Sequence, residues 1–194
     1  MANPTFESID NAPDNFIGTV SQVQKFCQED ISISKQKFDW DNFQNRVKSR
    51  SDADLTISEV KSNKIIKNEA KVELMVTELV DFLKNALAVA VSGGEELALK
   101  TAIDKVFTGL SKSNQDAWIF HQASSGYNSA WEYRLLYSFP RGDSKKSFLT
   151  LVLTFFIESK VEKEKILWIT TKDISNFKVE LTSCKLLVLD TFKA

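Results

Sequence analysis

The hydrophobic pattern of this chain changes its period once along the sequence, and no other feature restricts the fold as strongly. From residue 13 to about residue 113, apolar residues recur every three or four positions, which is typical of amphipathic helices. From about residue 116 to residue 191, apolar and polar residues alternate, which is typical of strands. The first half therefore predicts mainly helices, and the second half predicts a sheet.

The helical half contains four predicted helices separated by short breaks. The first runs over about residues 14–28, and the second begins near Asp39, a good N-cap residue. The third runs from Asn68 to about Ser92, and the fourth opens at Glu95 after two glycines. An extended piece at 31–34 and a possible strand within 52–60 lie between the helices. Apolar residues on the last two helices are predicted to cover a sheet: Val72, Leu79, Leu83, Leu87, Ile103 and Phe107.

The strands of the second half are unusually long. Residues 148–160 alternate without a breaker, whereas typical strands have about 5–6 residues. At ~3.3 Å per residue this segment extends ~43 Å, and a membrane hydrocarbon core is ~30 Å thick. A large, well-covered sheet in water explains the same pattern. If the strands do enter a membrane, the candidate residues are Trp131, Tyr133, Leu135, Leu149, Leu151, Leu153, Phe155, Ile157 and Trp168.

These elements together predict an α/β fold. Amphipathic helices lie on a surface, and strands that are apolar on one face and mixed on the other require cover on both sides. The short turn predicted at residues 140–143 joins strands that are neighbours in sequence, which favours an antiparallel sheet. We therefore expect one domain over residues 1–194, a three-layer sandwich with an antiparallel sheet between two helical hairpins.

Composition and charge exclude several functional classes. The chain has 25 basic and 26 acidic residues, so it lacks the basic excess needed to hold nucleic acid by bulk charge. His121 is its single histidine, and Cys27 and Cys184 are far apart in sequence. These residues offer no metal-binding spacing and no catalytic set. We therefore expect no cofactor, no small-molecule substrate and no enzymatic activity.

Membrane signals are sparse in the sequence. The N-terminus lacks the basic and apolar regions of a signal peptide, so we expect a protein that is made in soluble form and released by an unknown route. No stretch reaches the ~18 apolar residues of a spanning helix. Several lysines near the predicted turns are candidates for lipid headgroup contacts, although solubilising turn residues are an alternative. They are Lys145, Lys146, Lys163, Lys165 and Lys172.

Five local strings, which occur in the same order along the chain, resemble a known family. They are PDNFI (13–17), KFDWDNF (37–43), QDAWIF (115–120), SAWEYRLLYSFPRGD (129–143) and VEKEKILWITTKDISNFKVEL (161–181). The chain resembles the Cyt-type cytolytic delta-endotoxins of insecticidal bacteria and, more closely, the volvatoxin-type haemolysins of mushrooms. The resemblance implies a monomer that binds target-cell lipid membranes, forms homo-oligomers there and permeabilises the bilayer without catalysis.

The residue pattern suggests how such an activity would work. Helices that cover one sheet face in water would move away, with a hinge predicted at residues 111–114, and the exposed face would enter lipid. A lone open sheet in lipid leaves unpaired edges, so several copies would join into a closed oligomer. Two alternatives remain open at this point. One is detergent-like disruption without a defined pore, and the other is a non-lytic protein that binds lipid or glycan.

Overall fold

A computed structural model of the chain describes residues 5–86, 93–108, 119–122, 129–160, 170 and 172–194. The helices within these ranges are α1 (Ile17–Gln28), α2 (Trp40–Lys48), α3 (Val72–Ala86) and α4 (Gly93–Thr108). The strands there are β1 (Glu7–Asp10), β2 (Ile31–Ser32), β3 (Lys37–Phe38), β4 (Leu55–Lys71), β5 (Ile119–Gln122), β6 (Ser129–Pro140), β7 (Ser147–Ser159) and β8 (Ile174–Leu189).

The central sheet has the strand order β1–β6–β7–β8–β4, and β5 also pairs with β6. The pairs β6–β7, β7–β8 and β8–β4 are antiparallel, as predicted. The sequence did not predict the short parallel pair between β1 and residues 135–138 of β6. No hairpin joins β1 to β6, so no tight turn forces an antiparallel direction on this pair.

The sheet has two faces of different composition, and each face is covered by its own pair of helices. The apolar face lies under α3 and α4, and one row across it is Tyr133, Phe155 and Leu181. The mixed face lies under α1 and α2 and combines apolar with charged side chains. This arrangement confirms the predicted three-layer sandwich with a helical hairpin on each side.

The third helix begins later than the sequence predicts, because a long strand precedes it. β4 has 17 residues and ends at Lys71, so α3 begins at Val72 and not at Asn68. β4 forms an edge of the sheet, and its exposed positions carry mostly charged or polar residues, with Val60 and Ile66 as the exposed apolar ones. Such an edge strand has few apolar residues to reveal its alternation, which explains the error.

A β-bulge ends β4 and leads directly into α3. The register with β8 shifts between Lys67 and Ala70, and Glu69 has a φ of 50°. The backbone N–H of Glu69 donates to Oδ1 of Asn176 at 2.9 Å, which holds this left-handed residue in place. Helix α3 therefore follows the edge strand without an intervening loop.

The remaining predicted elements of the helical half are confirmed. The first helix has a 3-10 turn at Asp14–Phe16, followed by α1, and the extended piece at 31–34 includes β2. The Asp39 carboxylate caps α2 by accepting the Asn42 N–H at 3.1 Å, and this bond is the main cause of its lowered pKa. Within the described ranges, no helix is both long enough and apolar enough to cross a membrane.

Candidate functional site

The candidate strand residues lie on the apolar face and are hidden from water. Seven of the nine are fully buried, with an exposed fraction of 0%: Trp131, Tyr133, Leu135, Leu151, Leu153, Phe155 and Ile157. Leu149 is partly buried against the same cluster. Trp168 lies outside the described residues. The structure therefore confirms that these side chains share one face, as the period of two predicts.

Helices α3 and α4, together called the lid below, cover this face. Five of the six predicted covering residues are buried in the same cluster as the strand residues: Val72, Leu79, Leu83, Ile103 and Phe107. Leu87 and the hinge predicted at residues 111–114 lie outside the part of the chain that the structure describes. The predicted strand face and the predicted cover thus meet in one continuous apolar core.

Two hydrogen bonds, one buried and one partly buried, link the lid to the apolar face. The indole N–H of Trp131 donates to the backbone carbonyl of Val106 at 3.3 Å, and the Tyr137 hydroxyl donates to the carbonyl of Glu95 at 3.3 Å. Burial is the main cause of the raised pKa of Tyr137, so its hydroxyl stays protonated and remains a donor. Both bonds use backbone carbonyls of the lid as acceptors.

Two ion pairs connect the lid to strands at its rim. The Nζ atom of Lys67 on β4 lies 2.7 Å from Oε1 of Glu78 on α3. The Nζ atom of Lys105 on α4 lies 3.2 Å from Oε1 of Glu7 on β1. Lys67, Glu78 and Lys105 are all partly exposed, so each pair contributes about 0–1 kcal/mol. The lid is therefore held mainly by apolar contact.

The mixed face is held to α1 and α2 by a cluster of aromatic rings. The rings of Phe16 and Phe148 have centroids 4.9 Å apart, and those of Phe26 and Phe192 lie 5.8 Å apart in an edge-to-face contact. The guanidinium of Arg46 lies 4.1 Å from the Phe26 ring centroid. These contacts join both helices to β7 and to the C-terminal residues.

A buried polar network, which the sequence analysis missed, also lies on the mixed face. The Glu132 carboxylate accepts from Arg134 at 3.0 Å and from the Phe38 N–H at 3.1 Å. Arg134 Nε also donates to the carbonyl of Thr5 at 3.2 Å. Burial raises the pKa of Glu132 more strongly than the neighbouring Arg134 lowers it, and burial lowers the pKa of Arg134. The sequence signal for this network is the pair of opposite charges at Glu132 and Arg134, two positions apart within an otherwise apolar strand.

The candidate lysines do not form one patch. Lys145 and Lys146 are exposed in the turn between β6 and β7, whereas Lys172 is exposed just before β8. The 13 residues of β7 separate these two ends of the sheet, a distance of ~43 Å at ~3.3 Å per residue. Lys163 and Lys165 lie outside the described residues. Basic side chains therefore flank the long strands at both ends.

The two thiols of the chain are structural. Cys27 and Cys184 are free and fully buried within the mixed-face core. Burial raises the pKa of Cys184 to about 12 and raises that of Cys27 as well. A thiol is nucleophilic only as the thiolate, so neither side chain is activated for covalent chemistry.

Sequence comparisons find one family across most of the chain. The model of the family described as Bacillus thuringiensis toxin matches residues 24–191. The type-2Aa cytolytic delta-endotoxin of Bacillus thuringiensis subsp. kyushuensis is 26% identical over 123 residues, which are 63% of this chain and 48% of that protein. The type-1Ba cytolytic delta-endotoxin of subsp. neoleoensis is 24% identical over 115 residues, which are 59% of this chain and 43% of that protein. The chain thus spans about half the length of the curated relatives it matches.

Structural comparison gives the same answer for the fold. A delta-endotoxin structure superposes with a TM-score of 0.85 at 21% identity and covers 97% of this chain and 85% of its own. The activated Cyt2Ba monomer from Bacillus thuringiensis subsp. israelensis superposes with a TM-score of 0.84 at 18% identity and covers 95% and 97%. At these identities the likeness establishes the fold alone. The closer likeness to the mushroom haemolysins stays a prediction.

Proposed function

Because this chain belongs to the Bacillus thuringiensis toxin family, we propose that it is a cytolytic toxin that permeabilises target-cell membranes without enzymatic catalysis. The names of its matched relatives, cytolytic delta-endotoxins, support this class of activity. In the proposed mechanism, a monomer binds the lipid surface, releases the lid, and inserts long strands together with other copies of the chain.

The observation that carries the proposal is the apolar face beneath the lid. Strands β6, β7 and β8 have 12, 13 and 16 residues, and about 9–11 residues suffice for a tilted strand to cross a membrane. Most of their side chains on this face are apolar and belong to one buried cluster with the lid and with Ile65 and Ala70 of β4. A surface of this kind is stable in water only while it is covered.

Lipid can replace the lid as the partner of this face. Releasing the lid exposes apolar surface at a cost of about 25 cal/mol per Å², and contact with acyl chains recovers a similar amount. The hydrogen-bonding edges of the sheet are different, because each unpaired backbone group costs several kcal/mol in hydrocarbon. We therefore infer that neighbouring copies pair their edges and that permeabilisation requires oligomers.

The lid is the helical pair we propose to move, and α1 and α2 stay on the sheet. The lid contacts the sheet through apolar side chains, two hydrogen bonds to its carbonyls and rim ion pairs. On the opposite face, Phe38 of the β2–β3 hairpin, which lies between α1 and α2 in the chain, contacts the buried Glu132 of the Glu132–Arg134 ion pair. Removing that cover would bring an ion pair from protein into contact with lipid, which is more costly.

A tether between lid and sheet tests the proposal. In the variant K67C/E78C, a flexible bismaleimide linker would join β4 to α3 at a position where the native side chains already meet. In the matched control T19C/D190C, the same linker would join α1 to the end of β8, where Thr19 Oγ1 donates to the carbonyl of Asp190. Cys27 and Cys184 are buried and should not react with the linker in the folded protein.

We expect the K67C/E78C tether to slow dye release from liposomes by about tenfold or more relative to the unlinked variant. The control tether should leave the rate unchanged, and unlinked protein should form SDS-resistant oligomers on vesicles. Equal leakage from linked and unlinked K67C/E78C would refute lid release. Leakage without oligomers would favour detergent-like disruption. Intact liposomes and erythrocytes under all lipid compositions would refute the cytolytic function itself.

A further inference from the structure

We propose that the mixed face carries a binding site for a neutral saccharide. A cavity of 440 Å³ opens where the β2–β3 hairpin and the start of α2 overhang strands β6, β7 and β8. Ligand sites in proteins typically measure about 300–1,000 Å³, so this volume suits a mono- or disaccharide. The proposal does not depend on membrane permeabilisation, because the cavity is formed in the monomer.

Aromatic rings form one part of the cavity wall. Trp40, Phe38 and Phe156 line it, and Trp40 and Phe156 are only partly buried. The indole N–H of Trp40 donates to Thr154 Oγ1 at 3.0 Å, and its ring meets Phe38 edge to face at 4.9 Å. The indole is thus fixed before any ligand arrives. Rigid aromatic surfaces of this kind pack well against the C–H face of a sugar ring.

Hydrogen-bonding groups from the strands form the floor. Register places Phe156 between Glu132 on β6 and Glu180 on β8, and it places Thr154 beside Thr182. Carboxylates and hydroxyls are the groups that accept and share the O–H hydrogens of a polyol. Hydrogen bonds to a charged acceptor are also stronger than bonds between neutral groups. The floor therefore offers several acceptors beside an aromatic surface.

The charges around the cavity are balanced within the protein. The Nζ atom of Lys35 lies 3.2 Å from Oδ2 of Asp39, and the Glu132 carboxylate forms an ion pair with the buried Arg134. Glu180 lies 3.3 Å from both Lys64 and Lys178. The residual charges on the wall are of opposite sign, since both Lys37 and Asp41 line it.

This balance selects the class of ligand. A phosphate or sulphate group would meet four carboxylates and two lysines on the wall, and like charges that meet at an interface cost several kcal/mol. A cationic ligand would compete with the lysines that already neutralise the carboxylates. A neutral molecule rich in hydroxyl groups uses the acceptors without disturbing these pairs. The chemistry therefore favours an uncharged sugar, such as the terminal unit of a cell-surface glycan.

The site lies on the opposite side of the sheet from the lid. A saccharide bound there contacts β6, β7 and β8 from the mixed face, while the apolar face stays free to exchange the lid for another partner. Sugar binding can therefore occur before, and independently of, any release of the lid.

Ligand-observed NMR on the intact chain tests the proposal. The probes are glucose, galactose, mannose, N-acetylglucosamine and their common disaccharides at millimolar concentration, with phosphocholine and a sulphated disaccharide as charged comparators. The test variants are Glu180→Ala and Phe156→Leu, which remove an acceptor and a ring from the cavity. Glu73→Ala is the matched control, because Glu73 is an exposed carboxylate on α3, away from the cavity. Thermal unfolding checks that each variant is folded.

We expect at least one neutral sugar to bind, and we expect each test variant to weaken its binding about tenfold or more while Glu73→Ala leaves it unchanged. A glycan found this way would then be presented on a lipid or on a peptide to identify its source. Failure of every neutral sugar to bind would overturn the proposal. So would binding that survives both test variants, or binding of the charged comparators alone. Absence of liposome leakage would leave this proposal intact, since sugar binding is measured on the monomer.

Discussion

The two helical layers of this protein cover the same sheet in different ways. The lid presents an apolar stripe to an apolar face, whereas α1 and α2 add aromatic packing, ion pairs and side-chain hydrogen bonds to a mixed face. Both layers look alike as amphipathic helices in the sequence. The difference teaches that the type of contact made by each layer is set by the sheet face beneath it and not by the helix pattern itself.

Polar contacts at the ends of the α1–α2 layer show the contrast. The guanidinium of Arg50, just after α2, makes two bonds of 2.9 Å to the Asp54 carboxylate and one of 2.9 Å to the carbonyl of Lys193. In the loop after α1, the carboxylate of Asp30 lies 2.7 Å from Arg46 of α2. These bonds lose their partners if the layer leaves the sheet or its helices separate. Among the described residues, the lid is linked to the sheet by two hydrogen bonds to its backbone carbonyls and by rim ion pairs, so the two layers should respond differently to mutation.

The largest effect should come from breaking the buried ion pair on the mixed face. Arg134→Met leaves the Glu132 carboxylate buried without its cation and should lower the free energy of unfolding by about 3–5 kcal/mol at pH 7. Urea unfolding measures the change. The double variant E132Q/R134M removes both charges and should recover most of the loss. A double variant as unstable as the single one would show that the charges are not the cause.

The free energy of unfolding of Arg134→Met should depend on pH in a defined direction. Because burial raises the pKa of Glu132 above its unfolded value, the stability linked to its protonated form is complete below about pH 4.3. That stability is lost as the pH rises through the folded-state pKa. The deficit of Arg134→Met should therefore shrink as the pH falls from 7 toward 4.

A matched pair of core truncations should separate the two layers next. Val76 on α3 and Val23 on α1 are both 1% exposed, and replacing either with alanine should cost about 1–3 kcal/mol of stability. Only Val76→Ala loosens the lid, so only this variant should release liposome dye faster. Urea unfolding and dye-release rates, measured side by side, check both parts. Equal acceleration by Val23→Ala would remove the distinction between the layers.

The smallest change in stability and in dye release should come from removing an ion pair at the rim of the lid. Glu78→Gln removes the ion pair with Lys67 and should cost about 0.2–1 kcal/mol, less at high salt. Its counterpart is Glu29→Gln, which removes an exposed pair with Arg46 at 2.6 Å between the other helices. Dye release should quicken slightly for Glu78→Gln and stay constant for Glu29→Gln. Identical rates for the two variants at low salt would show that the rim pair does not restrain the lid.

The sequence predicts the layers and the apolar face well because both depend on strong local periodicity. Leu151, Leu153 and Phe155 alternate with polar or smaller residues over a long strand, and Leu79 and Leu83 mark one stripe of a helix. Each pattern identifies which side chains must be buried. Which helical pair covers which face does not follow from these patterns, because both helical pairs carry an apolar stripe.

Features that depend on distant residues could not be predicted in this way. The possible strand predicted within residues 52–60 marks the start of β4, but the extension of β4 to Lys71 depends on its pairing with β8. The cavity forms only when Trp40 is placed over Thr154, more than a hundred residues further along the chain. The sequence shows Glu132 and Arg134 as opposite charges two positions apart, but their burial depends on contacts with β3 and with the residues around Thr5.

The direct passage from β4 into α3 determines how a departing lid would travel. Because no loop separates Lys71 from Val72, we expect that a released α3 would pivot about the bulge at Glu69. The 15 residues of α3 extend about 22 Å along the helix axis. The far end of α3 would then move around the β4 edge of the sheet, so the space beyond that edge must be vacant during release.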